Sequence, residues 1–142
     1  MEKLLVSACL LGVDCRYDGG NCKNEAVIAL KDRYHLVPVC PECLGGLTTP
    51  RDPSELVDGR ILSCKGIDVT AQFEQGARQA LYLAQMFGCS RAVLKARSPS
   101  CGRDIIYDGS FSGKLAPGNG ATVTLLRENG IRVYTEDELS SL

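Results

Sequence analysis

Eight cysteines stand out among the 142 residues of this chain, and their placement indicates either metal binding or thiol chemistry. A chain of this length with 44% hydrophobic residues can build a core without the disulfides that small secreted domains need. The apolar run before Cys9 is shorter than the core of a signal peptide, so we expect a reduced, cytoplasmic protein. In such a protein, many cysteines indicate metal binding or catalysis more than cross-links.

Three cysteines have the most informative positions. Cys9 and Cys40 each end a short apolar run that is typical of a strand, and Cys101 lies in a Ser-Pro-Ser-Cys-Gly turn after a third run. In a parallel sheet the carboxyl ends of the strands share one edge, where ligands bind. Neighbouring strands are ~4.8 Å apart, so three thiolates could surround one small inorganic core at that edge.

Two other chemistries use the same residues. The Cys-Pro-Glu-Cys motif from Cys40 to Cys43 follows a predicted strand, as a thioredoxin-like dithiol does, but two glycines follow it where a helix is expected. Zinc could be bound by Cys40 and Cys43 with two of Cys9, Cys15 and Cys101. No second CxxC motif strengthens the zinc interpretation, and on these residues alone both alternatives stay open.

The remaining cysteines are expected to be structural. Cys89 precedes a predicted strand, which places it at the opposite edge of the sheet, and Cys22 and Cys64 have no evident partners. Free cysteine often acts as a small buried hydrophobic residue. We therefore expect Cys64 and Cys89, and to a lesser degree Cys22, to pack in the core.

The elements that position these cysteines follow from the hydrophobic pattern. Strands are predicted at residues 4–9, 36–40, 92–95 and 131–134, and helices at 24–33, 71–87 and 121–128. Thr70 is the expected N-cap of the longest helix, and Gly88 its stop. Alternating strands and helices predict an α/β fold, a Rossmann-like parallel sheet flanked by helices.

Two segments depart from this alternation. Residues 45–59 are rich in glycine, proline and charge and are expected to form an ordered loop. Residues 105–115, after the third cysteine motif, predict a small hairpin that turns at Asp108-Gly109. No repeat or linker interrupts the chain, so residues 1–142 are expected to form one domain.

The net charge limits the partners. A formal charge of -1 argues against nucleic-acid binding, which requires a basic face, and favours a small-molecule partner. No segment approaches the ~20 apolar residues that span a bilayer, so a membrane role is not expected. No pattern in the sequence indicates an oligomeric state.

Several motifs in a fixed order resemble those of the thiouracil desulfidase family. The resemblance covers nearly the whole chain, and the separate motifs together make chance agreement unlikely. The motifs are residues 7–12 (SACLLG), 15–19 (CRYDG), 38–42 (PVCPE), Gly45-Gly46, Pro50-Arg51, Lys95, 98–102 (SPSCG), 107–109 (YDG) and 111–113 (FSG).

The resemblance implies an α/β domain that holds a 4Fe–4S cluster through three cysteines, here Cys9, Cys40 and Cys101. It places Cys15 and Cys43 beside the cluster and not among its ligands. Clusters that only transfer electrons have four cysteine ligands, so three ligands would leave one iron open. An open, thiophilic iron is a Lewis acid suited to a thiocarbonyl sulfur.

The activity that the resemblance implies is non-redox removal of sulfur from a thiolated pyrimidine such as 2-thiouracil, with release of sulfide and uracil. The family's catalytic acid falls on Glu42 and its catalytic serine on Ser98, with Ser100 two residues further on. The alternatives are a sulfide- or thiolate-binding sensor and a zinc or dithiol protein without a cluster. The expected substrate contacts are Arg16, Tyr17, Asp18, Arg51 and Ser100.

Overall fold

The computed structural model describes residues 1–142 as eight strands and four α-helices. The strands are β1 Glu2–Ser7, β2 Tyr34–Val39, β3 Ser54–Val57, β4 Arg60–Ser63, β5 Arg91–Leu94, β6 Ile105–Tyr107, β7 Leu115–Pro117 and β8 Arg132–Thr135. The α-helices are α1 Glu25–Ile28, α2 Pro41–Leu44, α3 Thr70–Phe87 and α4 Ala121–Glu128, and 3₁₀ turns occupy Ala8–Leu11, Ala29–Asp32 and Leu139–Ser141. None of the helices has the length and apolarity of a membrane span.

A four-stranded parallel sheet in the order β2–β1–β5–β8 forms the centre of the fold. The predicted α/β fold, with a parallel sheet flanked by helices, is therefore confirmed. The chain steps from β1 outward to β2, then returns across β1 to β5 and β8. This reversal leaves a crevice outside the carboxyl ends of β1 and β5, the usual ligand site of such sheets.

Alternate side chains of β1 are buried on opposite faces of the sheet. Leu4 packs with Val27 of α1 on one face, while Leu5 packs with Ala84 of α3 and Leu126 of α4 on the other. All five side chains are fully buried. The alternation follows from the pleat of the strand, which points successive side chains to opposite faces. The layers therefore hold the carboxyl edge of the sheet, and the turns that follow it, in a fixed arrangement.

The two ends of the longest helix are capped in different ways. Gly88, in the left-handed conformation at φ 73°, ends α3 as predicted. Thr70 is the first helical residue and not the cap, because its hydroxyl accepts the Ile61 N–H at 2.8 Å. Asp68 instead accepts the Thr70 N–H at 2.9 Å. The hydrogen bonds from Thr70, with that from Arg60, lower the pKa of Asp68 to about 2.

Two sequence predictions about the irregular segments need correction. Residues 45–59 are not all loop, because β3 pairs with β4 in an antiparallel hairpin too short for its pattern to show. The hairpin after the third cysteine is present as β6 and β7, but it does not turn tightly at Asp108-Gly109. The Asp108 N–H bonds the Lys114 carbonyl at 3.0 Å, which closes a longer loop of residues 108–114.

Candidate metal-cluster and active site

A cavity of about 540 Å³ opens at the carboxyl edge of the sheet, beside the reversal between β1 and β5. Apolar and polar side chains both line it, among them six of the eight cysteines. We call it the cysteine cavity, after the lining cysteines Cys9, Cys15, Cys22, Cys40, Cys64 and Cys101. The convergence of Cys9, Cys40 and Cys101 that strand-end placement predicted is therefore present.

Each of these three cysteines is positioned by the turn that follows its strand. Cys9 lies in the 3₁₀ turn directly after β1, and Cys40 is the extended residue between β2 and α2. The four-residue helix α2 lies mostly within the CxxC motif and ends at Leu44, so no helix continues beyond the motif, as predicted. Cys101 lies in a turn where its N–H bonds the Ser98 Oγ at 2.6 Å. Tight local backbone geometry thus fixes all three positions.

Burial keeps these thiols protonated. Burial is the largest cause that raises the pKa of Cys9 and of Cys40, and neighbouring thiols raise both further. Burial also raises the pKa of Cys101 to about 11, although hydroxyl hydrogen bonds, first that of Ser7, partly oppose it. Metal ligation requires thiolates, so these groups give up their protons only to a strongly attracting cation.

The spacing of the donors distinguishes a single metal ion from a cluster. No three His, Cys, Asp or Glu side chains lie close enough together to hold one metal ion. Tetrahedral zinc at ~2.3 Å from each sulfur holds its thiolates about 3.8 Å apart. A cluster binds each cysteine through a different iron and therefore spans a wider spacing. The cysteine cavity fits a multi-iron cluster better than a zinc site.

The CxxC motif presents only one of its two thiols to the cavity, although the Cys43 thiol is close enough to Cys40 to affect its pKa. Cys40 and Cys43 are both free, and only Cys40 lines the cavity. The Cys43 sulfur instead lies 3.5 Å from the Thr49 hydroxyl and 3.8 Å from Nη1 of Arg51. The Cys40 thiol donates to the Cys15 carbonyl at 3.8 Å. The two cysteines of the motif therefore have different surroundings.

Glu42 enters the cavity from the first turn of α2 and is held by Arg51. Arg51 Nε donates to Glu42 Oε1 at 3.1 Å, and their side chains are only 8% and 20% exposed. Arg51 Nη2 also donates to the Cys15 carbonyl at 2.9 Å. No protein donor bonds Glu42 Oε2, so this oxygen remains free for a proton or a ligand. Arg51 thus fixes the carboxylate, with few donors left for a substrate.

The residues of the Cys-Arg-Tyr-Asp-Gly motif divide between the cavity and a turn. Arg16 and Tyr17 line the cavity, and the Arg16 guanidinium lies 5.3 Å from the Tyr17 ring. Arg16 Nη1 also approaches the Cys22 sulfur at 3.5 Å. Asp18 does not line the cavity: it accepts the Gly20 N–H at 3.0 Å and pairs with Arg16 at 3.4 Å. Asp18 therefore shapes the turn and orients Arg16.

The two serines of the third motif have different surroundings. Ser98 lines the cavity, whereas Ser100 is 1% exposed and lies 2.9 Å from the Thr122 hydroxyl. The Cys101 thiol donates to the Ser100 hydroxyl at 3.7 Å. This placement argues against the predicted substrate contact of Ser100. Ser98 is the serine that can reach a bound molecule.

Several residues of the site were not anticipated from the sequence. Cys64 is exposed and lines the cavity, so the expectation of a buried position is wrong for it, and Cys22 also lines the cavity. Cys89 is buried in the core as predicted. Lys95, which belongs to the family motifs but had no assigned role, lines the cavity and pairs with a carboxylate at 2.8 Å. Glu55 also lines the cavity, and no motif marked it.

Fold and site together define an α/β protein with a cysteine-lined cavity at the switch point of a parallel sheet. The family model described as 2-thiouracil desulfurase matches residues 4–138. The chain belongs to this family, as the sequence motifs predicted.

One solved structure is closely similar, a [4Fe-4S]-dependent thiouracil desulfidase, TudS. The two share 44% sequence identity and superpose with a TM-score of 0.94 over 100% of this chain and 95% of that one. A curated relative is the uncharacterized protein YbbK of Bacillus subtilis (strain 168), 41% identical over 149 residues. That match covers 98% of this chain and 99% of the relative.

Proposed function

We propose that this chain is an iron–sulfur-cluster-dependent enzyme that removes sulfur from a thiolated pyrimidine such as 2-thiouracil and releases sulfide and uracil. One observation carries the proposal: cysteines from three separate strand ends and the carboxylate of Glu42 line the same cavity. Membership of the 2-thiouracil desulfurase family supports it, as does the likeness to a [4Fe-4S]-dependent thiouracil desulfidase.

The proposed cluster ligands are Cys9, Cys40 and Cys101. All three line the cavity, none is in a disulfide, and their spacing exceeds what one metal ion accepts. A 4Fe–4S cluster with only these ligands would supply an iron with a free coordination position, a Lewis acid that polarises a thiocarbonyl bond. Cys15 and Cys22 are proposed neighbours of this site and not ligands.

The side chains around the cavity can then move the protons of the reaction. Glu42 Oε2 is placed to take a proton from the attacking water and return it to the departing sulfur. The Ser98 hydroxyl accepts the Cys101 N–H and lies within reach of the Cys101 sulfur, so it can donate its own hydrogen to that sulfur or to a bound molecule. One C–O bond forms as one C–S bond breaks, and water plus thiouracil gives uracil plus hydrogen sulfide. No electron is gained or lost.

Anaerobic reconstitution tests the proposal. We expect protein rich in iron and acid-labile sulfide, and steady release of sulfide from 2-thiouracil with formation of uracil. Protein that holds a complete cluster but releases no sulfide would contradict the proposed reaction. Colourless protein with stoichiometric zinc would contradict the cofactor as well.

A second experiment separates catalysis from mere binding of sulfide or a thiolate. Glu42→Gln removes the proton acceptor, and we expect turnover to fall by about 100-fold or more. Iron content and ligand binding should be retained. Glu74→Gln is a matched control, because Glu74 is an exposed residue of α3 outside the cavity. Equal turnover of the two variants would contradict the catalytic role of Glu42. Ligand binding with no turnover in the variants or in the unmodified protein would favour a binding protein over an enzyme.

We further propose that residues 1–142 act as one domain in a reducing compartment such as the cytoplasm. All eight cysteines are free, and six of them share one cavity, an arrangement that an oxidising compartment would cross-link. The proposed partner is a small thiolated pyrimidine and the product is sulfide, and the net charge of -1 disfavours nucleic acid.

A further inference from the structure

Glu55 is a buried carboxylate on the wall of the cysteine cavity. It lies in β3, is 8% exposed, and pairs with no lysine or arginine. A buried carboxylate without a cation is unfavourable for folding unless hydrogen bonds or a ligand compensate it. The partners of its two oxygens therefore indicate what this carboxylate stabilises.

One oxygen holds the loop of residues 108–114. Glu55 Oε1 accepts the N–H of Gly109 at 2.9 Å and that of Phe111 at 3.2 Å. Phe111 has φ 55°, a left-handed conformation that is unfavourable for a bulky residue. Gly109 lies so close to Leu56 that a Cβ atom would sit 2.5 Å from its carbonyl oxygen. The carboxylate therefore stabilises a strained loop conformation.

The loop held in this way and the end of β6 before it supply aromatic rings to the cavity. Phe111 and Tyr107 both line it, and each is 37% exposed although large and apolar. A planar heterocycle that enters the cavity can stack on such rings, because every base presents a π-face to an aromatic side chain.

The other oxygen of Glu55 is available to a ligand. No protein group donates to Oε2, and no buried side-chain oxygen of the protein lacks a partner, so Oε2 is accessible. A 2-thiopyrimidine ring has N–H groups that require an acceptor. A charged acceptor gives a stronger hydrogen bond than a neutral one.

We propose that Glu55 is the substrate-positioning residue of this site: Oε1 fixes the aromatic loop over the cavity, and Oε2 accepts a ring N–H of the pyrimidine. This inference rests on the proposed function for the class of ligand. It adds a determinant of specificity that is separate from the groups proposed to act on the C–S bond.

Binding of uracil to the reconstituted protein tests the inference without turnover. Glu55→Gln keeps a carbonyl oxygen for the two loop amides but presents an NH₂ donor to the cavity in place of an acceptor. We expect uracil affinity to fall about 10-fold to 100-fold in Glu55→Gln, and at least as much in Glu55→Ala. The matched control Glu74→Gln should bind uracil as the unmodified protein does.

Ring-methylated uracils identify the contact from the ligand side. Methylation of the nitrogen that donates to Glu55 should weaken binding to the unmodified protein, with a much smaller further loss in Glu55→Gln. Methylation of the other nitrogen should affect both proteins equally. If neither methyl group shows this dependence on residue 55, the proposed hydrogen bond is wrong.

Limited proteolysis of the reconstituted protein tests the loop anchor. Cleavage within residues 108–114 should accelerate in Glu55→Ala and remain slow in Glu55→Gln, which keeps the acceptor. The inference is overturned if both variants bind uracil within twofold of the unmodified protein, or if that protein binds no uracil. Uracil binding with this dependence but no sulfide release would instead refute the proposed reaction and leave the positioning role intact.

Discussion

Replacement of Arg51 by methionine should destabilise the protein strongly, apart from any loss of the predicted substrate contact. Its guanidinium donates to Glu42, the Cys15 carbonyl, the Thr48 carbonyl and the Thr49 hydroxyl at 3.1, 2.9, 3.2 and 2.9 Å. Each such bond contributes about 1 kcal/mol net, and loss of one partner from a largely buried ion pair costs about 3–5 kcal/mol in total. We expect Arg51→Met to lose about 3–4 kcal/mol of unfolding free energy.

The expected change in melting temperature follows from the length of the chain. An unfolding entropy of about 2.1 cal/mol/K per residue gives roughly 0.3 kcal/mol/K for 142 residues. The Arg51→Met variant should therefore melt about 10 °C lower. The measurement is thermal and denaturant unfolding of reconstituted protein under anaerobic, reducing conditions, with iron content matched between the variants.

A double-mutant cycle isolates the ion pair from the other contacts. Glu42→Gln alone removes a charge that is 20% exposed, so we expect a smaller loss, about 1 kcal/mol. The double variant leaves no unpaired carboxylate, and its loss should fall short of the sum by about 1–2 kcal/mol. Additive losses, or an Arg51→Met variant as stable as the unmodified protein, would refute the reasoning that Arg51 holds the carboxylate.

Three further predictions concern cluster loading, packing and pH. Cys40→Ser should lose most bound iron on reconstitution, whereas Cys43→Ser should retain it, because only Cys40 lines the cavity. Equal iron content would contradict the proposed ligand set. Alanine in place of glycine usually stabilises a helix, but Gly76→Ala should lower the free energy of unfolding by about 2–3 kcal/mol. The reason is that the added Cβ atom would lie 1.9 Å from the Pro41 carbonyl oxygen. Unchanged denaturant unfolding would contradict this packing. Asp68 has a pKa of about 2 in the folded protein. Its contribution to the free energy of unfolding is therefore complete above its unfolded-state pKa of ~3.9 and is lost as the pH falls through the folded-state pKa. Asp68→Asn should therefore flatten the fall in melting temperature between about pH 4 and pH 2, and an identical pH profile would count against it.

Much of the scaffold could be predicted because it depends on local periodicity. The helix at residues 121–128 and the end of α3 at Gly88 match the prediction, and the boundaries of the central strands match within two residues. The buried strands are apolar on both faces, so their pattern is strong. The hairpin of β3 and β4 was missed because four-residue strands carry too little pattern to separate them from a glycine- and proline-rich loop.

The residues of the site also divide into those whose positions the sequence could predict and those whose positions it could not. Cys9, Cys40 and Cys101 could be brought together from sequence because each follows a strand, and parallel strands share one carboxyl edge. Cys43 and Cys64 could not be assigned, because the direction of a side chain beyond a strand depends on distant partners. The Cys43 sulfur lies beside Thr49 and Arg51, outside the cavity lining, while Cys64 reaches the cavity at the end of β4.

The sequence by itself determined the parallel sheet, the three convergent cysteines and the family, since each is written in short motifs and local pattern. Tertiary structure alone decided that Arg51 hydrogen-bonds Glu42, that Ser98 and not Ser100 lines the cavity, and that Glu55 also lines it. These last features rest on hydrogen bonds between residues far apart in sequence, such as that between Glu55 and Gly109. Only the folded chain brings such partners within hydrogen-bonding distance, so no local pattern encodes them.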